Sequence, residues 1–327
     1  MRTAFIETLF DLARNDQRIV LVTGDLGFGV VTRFQNELPK QFVNAGVAEQ
    51  NMTGMAAGLA LSGKIAFTYS IANFPVIRCL EQIRNDICYH NANVKIVAVG
   101  GGFAYGSLGM THHATEDIAV MRALPNMKVL APNDPAEARL ATQAIVSTDG
   151  PCYLRLGRAG EPLVHHEEIK FEMGKSIMTR EGSDLTLVVT GGLLNYALEA
   201  AAELSASGIE ARVLSMHTVK PLDCEAVLAA AQETGAIVTI EEHSLIGGLG
   251  SAVAEFLADE YHAPVRLKRI GLPDMFSRKV GDQDYLRAEH GLDAAGIVSA
   301  VKDFRRFEFD AAMAGPNIAA PGSSRFA

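Results

Sequence analysis

Short apolar runs bounded by turn residues recur along the chain with stretches of helical periodicity between them, and this alternation restricts the fold more than any other feature. In the first half the runs are Ile19–Thr23, 65–69, Val94–Val99, Lys128–Leu130 and Cys152–Leu156. Helical spacing occupies 3–15, Glu49–Leu61, 76–90 and 135–147. Such alternation predicts parallel strands with helices on both faces of the sheet. The last of these helices announces its start, because Asn133-Asp134 offers a cap and Pro135 sits in the first turn, where a missing N–H is harmless. Over 161–183 the chain turns polar and irregular, with His165-His166-Glu167-Glu168, and an inter-domain linker is expected at 166–183. The pattern then resumes with strands at 184–190, Ala211–Ser215, 236–241 and 265–270 and helices at 196–207, Cys224–Glu233 and 251–261. At 327 residues the chain is too long for one ordinary compact domain. The expected fold is α/β, with two doubly wound domains at 1–165 and 184–309. A tail at 310–327, rich in Ala, Gly, Pro and Ser and without an amphipathic period, is expected to be disordered.

Acidic residues outnumber basic ones by 38 to 29, a formal net charge of −9, so neither nucleic acid nor an anionic membrane surface is an expected partner. No window approaches a membrane span. Cys79, Cys88, Cys152 and Cys224 form no C-x-x-C pair, which argues against a zinc knuckle or a disulfide framework. With no secretory pattern in the first dozen residues, a cytoplasmic protein with reduced thiols is expected.

Chemistry is expected first at Gly46-Val47-Ala48-Glu49-Gln50-Asn51-Met52, where Glu49 opens a helix rich in small residues. An acid in a first turn ordinarily does no more than complement the helix dipole. Here it lies between Thr23-Gly24-Asp25 and Tyr69-Ser70-Ile71-Ala72-Asn73-Phe74, and further segments follow in order: Arg78-Cys-Leu-Glu-Gln-Ile-Arg84, Gly109-Met-Thr-His112, Leu124-Pro-Asn-Met127, Arg155-Leu-Gly-Arg158 and Glu241-Glu-His-Ser-x-x-Gly-Gly-Leu-Gly250. The glycines at 100–109 are no phosphate cradle, since neither Gly-Lys-Ser/Thr nor a helix-opening G-x-G-x-x-G is present. Adjacent His112 and His113 point in different directions and lack a matching carboxylate, so no metal site is expected on this chain.

From about Arg2 to Glu308 these motifs resemble the transketolase family, together with the related 1-deoxyxylulose-5-phosphate synthases. The resemblance implies a thiamine-diphosphate-binding pyrimidine domain followed by a transketolase C-terminal domain. Glu49 then matches the acid that bonds the cofactor's aminopyrimidine ring nitrogen, which promotes the tautomer whose exocyclic nitrogen takes the C2 proton. Phe74 matches the aromatic that stacks on that ring, with Val47 and Met52 completing an apolar wall. Asp25 matches an acid near the cofactor, although Gly-Asp-Leu-Gly also reads as a plain turn. His112 matches a histidine that contacts substrate oxygens. Arg158 and Arg2 match arginines that grip the substrate phosphate, for which a guanidinium fork is suited.

The family's diphosphate and magnesium motif, Gly-Asp-Gly followed by Asn, is absent, for Gly24-Asp25 continues with Leu26. The resemblance therefore implies a split enzyme. Mg2+ is expected on a separate N-terminal transketolase subunit carrying the diphosphate domain, the two subunits forming a heterotetramer that acts on sugar phosphates. Rival readings are the β-subunit of a 2-oxoacid dehydrogenase, a deoxyxylulose-phosphate synthase-like enzyme, and a non-catalytic assembly module. Retention of Glu49, Phe74 and His112 together argues against the last. In Ser107-Leu108-Gly109-Met110-Thr111-His112, Leu108 stands where the family usually carries an aspartate that recognises a donor hydroxyl, and a glycine near Gly100 stands where transketolases carry a phosphate-binding histidine. Both departures imply a donor with altered stereochemistry, branching or substitution near the reacting carbons rather than xylulose 5-phosphate.

Overall fold

The computed structural model describes residues 1–314. In chain order the strands are β1 (Ile19–Thr23), β2 (Phe42–Asn44), β3 (Ile65–Ile71), β4 (Val94–Val99), β5 (Lys128–Leu130), β6 (Cys152–Leu156), β7 (Ile177–Arg180), β8 (Leu185–Thr190), β9 (Ala211–Ser215), β10 (Thr218–Lys220), β11 (Ala236–Ser244) and β12 (Arg266–Leu272). They build a seven-stranded sheet, ordered β10-β5-β6-β4-β3-β1-β2, and a five-stranded sheet, ordered β12-β11-β8-β9-β7. All pairings are parallel except β10 with β5 and β7 with β9, in which β10 and β7 are edge strands. The continuous burial of β1, β4, β6 and β8 reflects sheets covered on both faces. Among the described residues no helix is long and apolar enough to cross a membrane.

Three expectations are corrected. The segment 166–183 is not all linker, because Ile177–Arg180 closes the edge of the second sheet against β9; four residues in a polar stretch are too few to show a strand period. The stretch 76–90 is not one α-helix but a set of turns, a single α-turn at Leu80–Gln82 and a π-helix at Ile83–Cys88. The wide π-turn keeps Ile83, Ile87 and Cys88 together in the core. At the end of the chain the helix Ala294–Ala314 runs beyond residue 309, and the rest of the expected tail lies outside the described residues.

The domains are interlocked rather than strung together. β10 follows β9 in sequence yet joins the first sheet. Asp134 accepts from Glu137 N at 2.8 Å as helix cap and from the N–H groups of Val164 and His165 at 3.0 and 2.9 Å, so one buried carboxylate ties the connecting segment to the first domain. Glu137, one turn on, bonds His165 and, from the second domain, Ser215. Burial pushes its pKa up, but these partners and His217 outweigh burial and hold it below the usual carboxylate range.

Candidate active site

In the first sheet the chain goes from β1 to one edge as β2 and returns on the other side of β1 as β3, so a crevice opens at the carboxyl ends of β1 and β3. Gly24 ends β1 there, and the helix Glu49–Leu61 starts beside it; a Cβ on Gly24 would lie 3.6 Å from Glu49 Cγ and 3.8 Å from Met52 Sδ. Glu49 is 4 % exposed, and its Oε2 accepts from Arg78 Nη1 at 2.8 Å. The guanidinium of Arg78 lies 4.5 Å from the centre of the Phe74 ring, and Phe74 meets His112 edge-on at 5.2 Å. His112 Nδ1 is 3.0 Å from Thr111 Oγ1, and its ring is 6.5 Å from that of Tyr105. Tyr105 in turn lies under the Arg158 guanidinium at 5.2 Å. A continuous path thus joins Glu49, Phe74, His112 and Arg158, with Arg78 and Tyr105 as the links.

The remaining candidates fall to the sides of that path. Asp25 is an exposed left-handed turn residue, φ 56°, in reciprocal hydrogen bonds with Asn44: its N–H donates to Asn44 Oδ1 at 3.1 Å and its Oδ1 accepts from Asn44 Nδ2 at 2.9 Å. Arg158 opens on a cleft of about 480 Å3 that reaches Asn195, Tyr196 and Gln283. Arg2 lines a different cavity, of about 340 Å3, with Glu7, Phe10 and Arg33, and so is not drawn into contact with Arg158. It does act on the Tyr69 hydroxyl, whose pKa burial raises, Arg2 lowers and Tyr105 raises, with burial prevailing. Val47, expected in an apolar wall, points outward with 76 % of its surface exposed, whereas Met52 is fully buried.

Two residues of the path have no role in the sequence reading. Arg78 follows Phe74 by four positions, the spacing that lays a guanidinium over a ring on a helical turn, and this signal was available. Tyr105 carried no such signal. A Cβ on Gly100 would lie 2.2 Å from the Tyr105 ring, so the tyrosine fills the space that a larger residue at 100 would need. The neighbouring glycines admit other groups, since a Cβ on Gly101 would lie 2.6 Å from Arg155 Nε and one on Gly102 2.5 Å from the Glu242 carboxyl. The glycine run is a place where side chains cross, not a phosphate loop.

The fold and the acid at the switch point define the class: residues 1–160 match the transketolase pyrimidine-binding domain and residues 174–297 the transketolase C-terminal domain. The chain is 43 % identical over 305 residues, 93 % of its length and 96 % of the relative's, to a subunit of the apulose-4-phosphate transketolase of Phocaeicola vulgatus. It is 43 % identical over 304 residues, covering 93 % of this chain and 94 % of the other, to the 6-deoxy-6-sulfo-D-fructose transketolase subunit SqwH of a Clostridium species. A solved structure described as a split gene transketolase, inactive beta4 tetramer, superposes with a TM-score of 0.84 at 43 % identity, covering 92 % of this chain and 96 % of that one. The chain belongs to the transketolase family, which implies dependence on thiamine diphosphate.

The Glu49–Arg78 pair predicts a measurable coupling. Removing Arg78 leaves a buried carboxylate without its charge-assisted partner, and since Arg78 is half exposed the cost is about 1–2 kcal/mol. Arg78→Ala should lose that much stability in urea unfolding, and Arg78→Ala should cost markedly less in a Glu49→Gln background. Additive losses would show that the pair is not coupled.

Proposed function

We propose that this chain is the second half of a split transketolase, moving a two-carbon ketol unit between sugar phosphates once a separate subunit supplies the diphosphate domain. One observation carries the reading: a buried carboxylate heads a helix at the sheet's switch point with an aromatic ring and a histidine in line beyond it, which is one side of a cofactor site. These residues fit thiamine diphosphate, with Glu49 for the aminopyrimidine ring nitrogen and Phe74 for the ring face. When bound, the cofactor supplies a nucleophilic carbon. Glu49, 4 % exposed, would hold on its carboxyl oxygen the proton shared with the ring nitrogen. His112 contacts substrate oxygens and Arg158 holds the phosphate, whereas Arg2, in a cavity of its own, takes no part in that clamp. Among the described residues no group of three or more His, Cys, Asp or Glu could hold a metal ion, and Mg2+ is assigned to the partner.

Exposed apolar side chains support a seat for the partner beside the crevice. Phe28, Val47, Ile77, Leu108 and Met110 stand on the loops after β1, β2, β3 and β4, along one edge of the sheet around the crevice. A subunit seated there would bury them and close the cofactor site. The tetramer described as inactive for the related structure accords with a chain that needs its partner for turnover.

For the donor, two relatives are named for apulose 4-phosphate and 6-deoxy-6-sulfo-D-fructose, which supports a sugar other than xylulose 5-phosphate for this chain. Leu108 supports the same direction, since its side chain cannot bond a sugar hydroxyl as an aspartate would.

Two measurements on the complex with its diphosphate-domain partner test the reading. Glu49→Gln should lower kcat and the hydrogen exchange of cofactor C2 by about 100-fold or more with the circular dichroism unchanged; near-normal exchange would remove Glu49 from the chemistry. The unaltered complex should use xylulose 5-phosphate with kcat/KM well below about 10⁴ M⁻¹s⁻¹, and Leu108→Asp should raise that value. A fast reaction with this donor, unmoved by the substitution, would make Leu108 a neutral variation.

A further inference from the structure

We infer that Glu242, in the C-terminal domain, is a positioning residue for the loop that carries Tyr105 and His112, so that the second domain sets the geometry of the substrate site. This rests on the reading of His112 as a substrate contact.

The loop leaves and re-enters the first domain through one pair of residues. Gly102 N–H donates to Ala114 O at 2.8 Å and Ala114 N–H to Gly102 O at 2.9 Å. Phe103, the first residue inside, is 1 % exposed and lies between His113, edge-on at 5.0 Å, and His290 of the second domain, stacked at 5.2 Å. Its N–H donates to Glu242 Oε1 at 2.6 Å across the domain boundary. That carboxylate has no exposed surface and no rotational freedom: Oε2 accepts from Arg287 Nε and Nη2 at 2.8 and 2.7 Å, and Gln283 Nε2 spans both oxygens at 3.1 and 3.0 Å. Glu242 O also accepts from Arg155 Nη2 at 2.9 Å.

A second anchor lies further along the loop. Gly106 rests on the same part of the second domain, where a Cβ would come within 2.4 Å of Leu286 Cδ1 and 2.7 Å of Gly281 O. Gln283, Leu286 and Arg287 belong to one short helix, Gln283–Glu289, so the group that fixes Glu242 and the group that supports Gly106 move as a unit. Between the anchors stands Tyr105, and His112 follows beyond Gly109. Packing could be met by an apolar pair, but a carboxylate aimed at one backbone N–H, with both oxygens fixed, defines where the loop begins to within a hydrogen-bond length. Gly102 must be glycine for it, with φ +64° and the carboxyl where a Cβ would be.

The test uses the complex with the partner subunit. Gln283→Ala removes the brace on both oxygens at a partly exposed position and leaves the Arg287 pair in place, while Glu242→Gln keeps an acceptor for Phe103 N–H and Glu242→Ala does not. Gln283→Ala should lower kcat/KM for the preferred donor by about 10-fold, speed amide hydrogen exchange over 103–113, and leave exchange of cofactor C2 unchanged, because Glu49 is untouched. Glu242→Gln should keep more activity than Glu242→Ala. Unchanged amide exchange over 103–113 in Gln283→Ala and Glu242→Ala overturns the proposal, as does a loss of C2 exchange equal to the loss of turnover, which would mark a general structural role. The amide exchange is read whether or not the complex turns over, so failure of the functional reading, no ketol transfer by the unaltered complex, is distinguishable from failure of this one.

Discussion

The structure depends on charges buried between the domains. Arg155, on β6 of the first sheet and 3 % exposed, donates to Asp117 Oδ2 at 2.8 Å, to Ala114 O and to Glu242 O. Burial works against its charge, but Asp117, Tyr153 and Glu242 outweigh burial and raise its pKa. Glu242 is matched by Arg287. Each charge alone would be costly to desolvate, and the pairs Arg155–Asp117 and Glu242–Arg287 offset that cost, although Asp117 Oδ1 has no hydrogen-bond partner among the described residues. An apolar cluster also crosses the boundary, from Ile118 and Met121 to Leu214, Met216 and Leu249, and to that packing the network adds directional contacts that define the angle at which the second domain meets the first.

That angle matters because the path from Glu49 to Arg158 is not made by one element. Glu49 stands on a helix, Phe74 and Arg78 on turns after β3, His112 and Tyr105 on a loop after β4, and Arg158 after β6. Loops can place side chains for chemistry when a rigid scaffold fixes their ends. The crossing of side chains at Gly100, Gly101 and Gly102 provides such a fixture, with Tyr105, Arg155 and Glu242 each entering where a Cβ is missing.

Much of this was legible in the sequence. β1, β4, β5, β6 and β9 have the bounds that their apolar runs suggest, and the helices Glu49–Leu61 and Cys224–Glu233 likewise, because buried parallel strands and helical periodicity write strong local signals. β7 and β10 were not legible: each is an edge strand of three or four residues whose pairing comes from elsewhere in the chain. The helix expected at 76–90 is replaced by turns that lay Arg78 over Phe74 and by a π-helix whose wide turn departs from the 3.6-residue period. At the site, Glu49 is linked to Phe74 through Arg78 and Phe74 meets His112, while Arg2 lines a cavity of its own. The contact of Glu242 with Phe103 spans 139 positions and has no local signature.

The central claim is that this chain carries one side of a thiamine-diphosphate site and a second polypeptide the other. Isothermal titration of thiamine diphosphate with Mg2+ into this chain alone, into the diphosphate-domain subunit alone and into their equimolar mixture tests it most directly. The account predicts saturable, stoichiometric binding in the mixture and none by this chain alone. Tight, Mg2+-dependent binding of the cofactor by this chain without its partner would contradict it.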